Sequence, residues 1–254
     1  MDDASPWRLY GELAPWWPLI SPVEDYAEEA GFVTHLLARL GVGDGGELLE
    51  LGSGGGHMAW YLRRHFDLTL VDRSPAMLEV SRALNPACRH LEGDMRTLRL
   101  GRSYHAVFVH DAIDHLTTRA DLDRAMSTAF AHTRPGGVAV FVPDHTRETF
   151  EPSTDHDGHD HPDGRAVRYL EWARDADPTD TEVEIDYVFV LREPGRPTQV
   201  VHDHHRCGLF DRSTWLAAVA GAGFEASSVP EETTEDRTPR ELFVGRRSAA
   251  PGPQ

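Results

Sequence analysis

The sequence predicts an α/β fold, a doubly wound parallel sheet with helices on both faces and an antiparallel β cap. Three observations predict it. Short apolar runs alternate with segments of helical periodicity up to residue 145, a glycine-rich turn follows the first apolar run, and the alternation stops over residues 146–205. With 254 residues the chain is long enough for one substantial core and an added cap.

The first helix is predicted over residues 24–40, where apolar side chains recur at helical spacing until Gly41 and Gly43 end the pattern. The run 47–51 is too short for a helix and predicts a buried strand. The same reasoning predicts, in chain order, a helix at 57–65, a strand at 68–71, a helix at 75–84, strands at 89–91 and 106–109, a helix at 119–132, a turn at 134–137 and a strand at 138–142.

Beyond residue 145 a polar loop rich in His and Asp precedes three strand-like runs, 166–172, 181–191 and 198–202, which predict a two- or three-stranded antiparallel cap. A helix at 211–222 with Asp211 as its N-cap and two strands at 225–229 and 241–245 return to the α/β pattern. The expected division is residues 1–145 and 206–247 for the α/β domain with an aromatic, helical N-terminal lid, 146–205 for the cap and 248–254 for a disordered tail.

The chain is strongly acidic, with 42 acidic against 25 basic residues and a formal net charge of -17. Such a chain repels phosphate backbones and anionic lipid, so neither nucleic acid nor a membrane is expected as a partner. The first residues lack the pattern of a secretory signal, which predicts a cytoplasmic protein. The two cysteines, Cys88 and Cys207, show no metal or redox spacing.

The glycine-rich turn is Glu50-Leu51-Gly52-Ser53-Gly54-Gly55-Gly56. Glycines there let the backbone turn tightly and approach a ligand. A dinucleotide-binding turn would carry its third glycine at position 57, which is His57, so the spacing argues against a nicotinamide cofactor. Asp72 ends the next predicted strand, where a carboxylate can accept ribose hydroxyls, and Asp94 ends the third. These positions predict an adenosyl ligand, with Asp94 at the adenine amino group and Met95 packed on the base.

On these features, and on Gly93-Asp94-Met95-Arg96, Pro135-Gly136-Gly137-Val138 and Leu242-Phe243-Val244-Gly245, the chain resembles the class I S-adenosylmethionine-dependent methyltransferases. Within them it is similar to small actinobacterial natural-product tailoring enzymes, including the sugar-amine N,N-dimethyltransferases of macrolide pathways. The resemblance implies a Rossmann-like methyltransferase sheet, S-adenosyl-L-methionine as cofactor and S-adenosyl-L-homocysteine as product. The predicted cofactor-binding residues are Tyr10, Glu50, Gly52, Ser53, Gly54, Gly56, Asp72, Arg73, Met77, Gly93, Asp94, Met95 and His110.

One segment departs from the sugar-amine enzymes, which carry a small, Ser-rich stretch after the fourth strand where this chain has His110-Asp111-Ala112-Ile113-Asp114-His115. This departure leaves the identity of the methyl acceptor open. Open α/β folds bind ligands where their parallel strands end, so the predicted catalytic residues are His110, Asp111 and His115, and His145 after the fifth strand. Each histidine could serve as a base or orient the acceptor, or it could instead cap a helix or bond the cofactor carboxylate.

Aromatic residues near the N-terminus are predicted to close over the site, because aromatic faces attract a sulfonium or ammonium cation. The predicted substrate-binding residues are Trp16, Trp17 and Tyr26 from this group, together with His204 and His205 on the last cap run. Core packing would use the same aromatic residues. The His/Asp-rich run 155–161 lacks a metal-binding spacing and is predicted to be a solvated lid loop without a metal.

The sequence therefore predicts methyl transfer by in-line displacement to a nitrogen or nucleophilic carbon of a small natural-product molecule, either amine-bearing or aromatic, for example indole-like. Transfer to oxygen is the alternative within the same class. A nicotinamide-dependent oxidoreductase and a non-catalytic binding module on the same fold are the alternatives of other classes. The expected partner is a small-molecule acceptor, and the cap strands could pair across a homodimer.

Overall fold

Helices and strands alternate along the chain in the computed structural model, which describes residues 7–234 and 240–249. The strands are β1 (Gly46–Leu51), β2 (Phe66–Asp72), β3 (Arg89–Glu92), β4 (Tyr104–His110), β5 (Thr133–Val142), β6 (Ser153–Asp157), β7 (Ala166–Arg174), β8 (Glu182–Arg192), β9 (Gln199–Gly208), β10 (Glu225–Pro230) and β11 (Glu241–Arg246). The helices are α1 (Trp17–Ile20), α2 (Ala27–Arg39), α3 (His57–Leu62), α4 (Pro75–Leu84), α5 (Arg119–His132) and α6 (Arg212–Gly221), with short 3-10 helices at Ala14–Trp16, Val23–Tyr26 and Ala112–His115.

A seven-stranded sheet of order β10-β11-β5-β4-β1-β2-β3 forms the centre of the molecule. The strands β1 to β5 run parallel, and β11 is antiparallel to both of its neighbours. The register sets Glu50 of β1 beside Leu70 of β2 and Phe108 of β4, so these strands end at one edge of the sheet. The central strands are mostly buried apolar runs, as expected for parallel strands between two helix layers. The predicted doubly wound fold is confirmed.

Two hydrophobic cores, one on each face of the sheet, hold the helices in place. Adjacent residues of β4 belong to different cores, Val107 to one and Phe108 to the other, because side chains alternate across a strand. The first core includes Leu122, Met126 and Trp215 of α5 and α6, and the second includes Val33, Leu37, Met58 and Leu62 of α2 and α3. The predicted N-cap Asp211 accepts a hydrogen bond from the amide of Thr214 and fixes the start of α6.

A second sheet, antiparallel and of order β6-β7-β8-β9, forms the cap. The N-terminal segment packs against it in a separate hydrophobic core formed by Leu9, Leu13, Leu19, Ile20, Val167, Phe189, Leu191 and Val201. This packing joins the aromatic N-terminal residues to the cap. The antiparallel cap is confirmed, and its inner face lies over the edge where the parallel strands end.

The cap differs from the prediction in two places. The strand β6 occupies part of the run predicted to be a loop, and it pairs with β7 although all of its residues are exposed. Its polar sequence carries no apolar alternation, so backbone pairing with β7 and not burial forms it. The strand β9 also continues to Gly208, past the predicted cap limit at residue 205.

Two boundaries of the α/β domain also differ. The helix α3 ends at Leu62 and not at residue 65, because the chain turns directly into β2. The predicted turn at 134–137 is part of β5, where a bulge shifts the register and Gly136 has a φ of 78°. Residues 250–254 of the predicted disordered tail lie outside the described residues. No helix within those described ranges has the length and apolar composition that a membrane crossing requires.

Candidate active site

A cavity of about 1040 Å³ lies between the edge where the parallel strands end and the inner face of the cap sheet. Its turn end is lined by Glu50, Gly52, Ser53, Gly54, Asp72, Asp94 and Met95. Its cap end is lined by Asp114, His115, Asp144, Glu171, Tyr187, His205 and Cys207. A volume of this size can hold a nucleotide-like ligand together with a second small molecule.

The turn end is shaped by glycines whose positions admit no side chain. Gly52 has a φ of 78°, and a Cβ there would lie 2.3 Å from the Cβ of Ala112. Gly54 has a φ of 51° and donates its amide to Asp72 Oδ2 at 2.8 Å, while the amide of Ser74 donates to Oδ1 at 2.8 Å. The backbone therefore lies close to the ends of β1 and β2 and leaves a cradle without side chains.

Two buried polar atoms at the turn end, Glu50 Oε2 and Ser53 Oγ, lack a hydrogen-bond partner among the described residues. Burial, opposed by the charge of His110, raises the pKa of Glu50 to about 8. Buried polar groups in folded proteins nearly always have partners, so unsatisfied atoms at a cavity wall fit a bound ligand. A ligand that carries an ammonium group, as an amino acid does, would satisfy Glu50.

Asp94 and Met95 lie at the turn end just after β3. Although burial opposes it, hydrogen bonds from the backbone amide of Arg96 at 2.8 Å and from its guanidinium lower the pKa of Asp94. Met95 Cε lies 3.0 Å from the position that a Cβ on Gly52 would take. A charged acceptor and an apolar side chain therefore lie next to each other where adenine binding is predicted.

An ion-pair network joins the ends of β4 and β5 to α2 and to the segment before β11. His110 Nε2 lies 2.7 Å from Glu29 Oε1, and the Arg240 guanidinium contacts Glu29, Asp111 and Asp144. Although burial lowers it, the carboxylates of Asp111 and Glu29 raise the pKa of His110 to about 9. The Arg240 guanidinium, 2.9 Å from His110 Nε2, opposes this rise but does not cancel it. A raised pKa favours the cationic imidazole at neutral pH and argues against the role of base predicted for His110.

Asp111, also predicted to be catalytic, belongs to the same network. Its Oδ1 lies 3.2 Å from His110 Nε2 and 3.3 Å from Arg240 Nη2. Its φ of 31° is the one positive value outside glycine in the described ranges. Such backbone strain is typical of functional sites, where surrounding contacts hold a residue in place.

His115 follows the same strand but lies in a different environment. Its ring stacks on Trp7 with centroids 4.3 Å apart and meets the edge of Tyr10 at 5.2 Å. Burial and the nearby His205 lower the pKa of His115 to about 3, so its imidazole is neutral at pH 7. A neutral imidazole can accept a hydrogen bond from an amine, and the environment of His115 suits that role better than the environment of His110.

Most of the other predicted site residues also line the cavity. They are Tyr10, Trp17, Tyr26, Arg73, Met77 and His145. Trp17 packs directly on the glycine turn, where a Cβ on Gly55 would come within 2.4 Å of its Cδ1. The N-terminal segment thus covers the turn end as well as contacting the cap.

Two predicted cofactor glycines lie behind the cavity wall. A Cβ on Gly56 would meet Ser81 Oγ of α4 at 2.3 Å, and one on Gly93 would meet Leu98 Cδ1 at 2.7 Å. The absence of a side chain at these glycines allows neighbouring segments to pack closely, and their contact with the cofactor stays a prediction.

Two predicted substrate-binding residues also lie outside the cavity lining. Trp16 packs under the guanidinium of Arg165, 5.6 Å from the ring centroid. His204 lies 3.0 Å from Asp186 on the outer face of the cap, because alternate residues of β9 face opposite sides. His205, the next residue, is buried and lines the cavity as predicted.

Several cavity residues carry no prediction from the sequence: Trp7, His57, Asp114, Glu171, Tyr187 and Arg240. Glu171 of β7 and Tyr187 of β8 are paired across the cap sheet. The register of the cap strands is the signal that identifies them, and a single sequence does not supply it. Arg240 immediately precedes β11, at a position that carries no sequence motif.

The His/Asp-rich run forms no evident metal centre. Within the part of the chain that the structure describes, no group of three or more His, Cys, Asp or Glu side chains is arranged to hold a metal ion. His159 lies instead 2.9 Å from the carbonyl oxygen of Leu19, and Asp160 pairs with Arg168. Cys88 and Cys207 are free thiols.

Comparison with known proteins assigns the turn end to a known domain. Residues 48–137 match the family described as a methyltransferase domain. That range begins in β1 and ends in β5, so it contains the glycine turn, Asp72, Asp94 and the segment 110–115.

Similarity extends over most of the chain. A dTDP-3-amino-3,4,6-trideoxy-alpha-D-glucopyranose N,N-dimethyltransferase of Streptomyces venezuelae is 30% identical over 225 residues, which cover 87% of this chain and 91% of the relative. The structure of a sugar N-methyltransferase from Streptoalloteichus has a TM-score of 0.78 at 26% identity and covers 90% of each chain. An S-adenosylmethionine-bound amino pentose methyltransferase from Micromonospora echinaspora has a TM-score of 0.73 at 25% identity, over 88% of this chain and 92% of that one.

Proposed function

The chain belongs to the S-adenosylmethionine-dependent methyltransferases, and from this premise we propose that it methylates the amino nitrogen of a small natural-product molecule, an amino sugar or an amine of similar size. Family membership decides against the nicotinamide-dependent and the non-catalytic alternatives. The observation that carries the proposal is one cavity that joins the turn end to a cap end rich in carboxylates and aromatic rings.

The residues of the turn end fit the cofactor, S-adenosyl-L-methionine. Glu50 and Ser53 would hold the methionine portion with their unsatisfied atoms, Asp72 the ribose, and Asp94 with Met95 the adenine. When bound, the cofactor supplies an electrophilic methyl group attached to a sulfonium. The protein then has to align the acceptor nitrogen with that methyl group and exclude water, which the cap sheet and the N-terminal segment would do.

The cap end would hold the acceptor. Its carboxylates, Asp114, Asp144 and Glu171, favour a positively charged group, and the rings of Trp7 and Tyr10 offer faces that attract a cation. Two relatives that match 87% of this chain are N,N-dimethyltransferases of dTDP-linked amino sugars, which supports an amine acceptor here. An indole-like acceptor and transfer to oxygen stay predictions for this chain.

His115 would orient the acceptor. Its neutral imidazole can accept one N–H of an amine and thereby direct the nitrogen lone pair toward the turn end. His110 and Arg240 have a different task, because their charges hold Asp111, Asp144 and Glu29 in a fixed arrangement at the edge of the sheet.

Isotope-labelled methyl transfer tests the proposal. The purified protein would be incubated with methyl-labelled cofactor and five acceptors: a nucleotide-linked amino sugar, the same amino sugar without the nucleotide, its N-acetyl derivative, the corresponding hydroxyl sugar and an indole. Mass spectrometry should find label on an amine and none on the N-acetyl derivative, whose nitrogen lone pair is delocalised. If label were found only on the indole or only on the hydroxyl sugar, the proposal of an amine acceptor would be refuted.

We also propose that the protein forms a homodimer through the cap. The large hydrophobic side chains exposed within the described ranges are Leu170, Trp172, Val190 and Val200, and all belong to cap strands. A face of this kind favours an apolar partner surface, and the same face of a second copy would supply one. Trp172→Glu should shift the sedimentation coefficient from dimer to monomer, and an unchanged coefficient would refute the contact.

A further inference from the structure

Asp114, in the 3-10 helix Ala112–His115, presents a carboxylate oxygen without a partner at the cavity wall. The residue is 7% exposed, and its Oδ2 accepts a hydrogen bond from the amide of Asp144 at 2.8 Å. Its Oδ1 has no hydrogen-bond partner within the described chain. A buried carboxylate oxygen without a partner destabilises the protein, so a ligand group that donates a hydrogen bond to it would be bound favourably.

Glu171 faces the same cavity from the cap. It lies on β7 opposite Tyr187 of β8, and its carboxylate accepts a hydrogen bond from the Tyr187 hydroxyl. Asp114, Glu171 and Cys207 all line the same cavity at its cap end. The α/β domain therefore contributes one carboxylate to this volume and the cap contributes the other.

Asp114 and Glu171 each have another carboxylate, Asp144, among the charges that act on them. The charges that act most strongly on Asp114 are those of Asp144, Asp111 and Arg240, and those that act most strongly on Glu171 are the charges of Asp144 and Asp155. Arg240 already pairs with Glu29, Asp111 and Asp144. Burial and Asp144 raise the pKa of Glu171 to about 7, and burial and Asp144 likewise raise the pKa of Asp114.

We propose that Asp114 and Glu171 form a two-sided carboxylate clamp that selects an acceptor with a protonated amino group and then removes its proton. This inference rests on the proposed N-methylation and names the residues that recognise the acceptor. Asp114 holds the ammonium group through its unpaired Oδ1, and Glu171 receives the proton. The hydroxyl of Tyr187 keeps the Glu171 carboxylate oriented toward the cavity.

The proton balance of the step is simple. An ammonium nitrogen has no lone pair, so the acceptor gives one proton to the Glu171 carboxylate, which becomes a neutral carboxylic acid. The freed lone pair then forms the new nitrogen–carbon bond as the sulfur–carbon bond of the cofactor breaks and its electron pair stays on sulfur. The product is a methylated ammonium, and Glu171 returns its proton to water after product release. A carboxylate with a pKa near 7 suits this exchange, because it can accept and release a proton at neutral pH.

Binding of a simple amine tests the clamp without methyl transfer. Titration calorimetry at pH 7 would compare 3-amino-3-deoxyglucose with glucose on protein saturated with S-adenosylhomocysteine. The wild type should bind the amino sugar at least about tenfold more tightly than glucose, which corresponds to about 1.4 kcal/mol. Asp114→Asn and Glu171→Gln should each abolish that preference while S-adenosylhomocysteine affinity stays unchanged.

Two variants serve as matched controls. Glu184→Gln removes a cap carboxylate that pairs with Arg174, and Asp123→Asn removes an exposed carboxylate that pairs with Arg119 on α5. Both should keep the wild-type preference for the amino sugar. Equal binding of the two sugars by the wild type, or a preference that survives in both clamp variants, would overturn the proposal.

A pH profile of labelled methyl transfer separates the clamp from the proposed function. With an amine acceptor from the panel, kcat/KM of the wild type should rise with pH as Glu171 ionises. Glu171→Gln should have a lower kcat/KM that no longer rises over this pH range. Unchanged amine methylation in both clamp variants would refute the clamp and leave N-methylation standing. No methylated amine at all, with the binding preference present and lost in the variants, would refute N-methylation and leave the amine site standing.

Discussion

The two ends of the cavity are built in different ways. The turn end is made largely of backbone and of side chains at strand ends between residues 50 and 95, so its shape follows from a short stretch of the chain. The cap end brings together side chains from β7, β8, β9 and the 3-10 helix after β4, which lie far apart in the sequence. We therefore expect the turn end to bind the cofactor and the cap end to select the proposed acceptor.

The largest expected effect belongs to the glycine cradle. Gly52→Ala places a Cβ 2.3 Å from the Cβ of Ala112 at a residue with φ of 78°, so the turn has to shift. S-adenosylhomocysteine affinity measured by calorimetry should fall about a hundredfold, or about 2.7 kcal/mol. Gly101→Ala is the matched control, because Gly101 has a φ of 66° but open space around it. Equal losses in both variants would show that backbone strain, and not the cradle, sets the affinity.

The charge network between the two ends should make stability fall as the solution becomes alkaline. His110 has a folded-state pKa of about 9, above the value of about 6.5 expected when unfolded. Its contribution to the free energy of unfolding is therefore fully present below about pH 6.5 and is lost as pH rises through about 9.

Urea unfolding at pH 6.5 and pH 9.5 measures that contribution. The wild type should lose on the order of 2 kcal/mol more than His110→Gln between the two pH values. His65→Gln is the control, because His65 is exposed and pairs only with the exposed Asp44 in the described chain. Identical pH dependence in the wild type and His110→Gln would mean that the buried network does not hold His110 as a cation.

The turn end of the cavity is built from a short stretch of the chain and the cap end from distant segments. This difference decides how much of each end the sequence predicts. The turn carries glycines at fixed spacing after a strand, and Asp72 and Asp94 end neighbouring strands, so local pattern alone identifies most of the turn end. Glu171 and Asp114 come to line one cavity only through the register of the cap strands and the closure of the cap over the sheet edge. Periodicity gives the face of a strand but not its partner, which is why Glu171 is missed and His204 is misplaced.

Asp72 should have a smaller effect than Gly52, because it acts through hydrogen bonds and not through shape. Its carboxylate accepts the amides of Gly54 and Ser74 and lines the turn end. Asp72→Asn keeps the size but removes one acceptor, so S-adenosylhomocysteine affinity should fall about tenfold, or about 1.4 kcal/mol. Asp67→Asn, at an exposed position of the same strand, should leave the affinity unchanged. An unchanged affinity in Asp72→Asn would remove the predicted ribose contact.

The smallest expected effect comes from substitutions at two adjacent histidines of β9. Comparing them tests which face of the cap contacts the acceptor. His205 is 1% exposed, lies 3.0 Å from Asp203 Oδ2 and packs with its ring centroid 5.0 Å from that of Tyr187. His204 faces outward and contacts Asp186. His205→Gln keeps a polar group but loses the ring, so the acceptor KM should rise about fivefold, or about 1 kcal/mol, while S-adenosylhomocysteine affinity is unchanged.

His204→Gln should change neither quantity, because its side chain lies on the opposite face of the strand. A larger effect from His204 than from His205 would place the acceptor on the outer face of the cap and would break the division between a turn end and a cap end of one cavity.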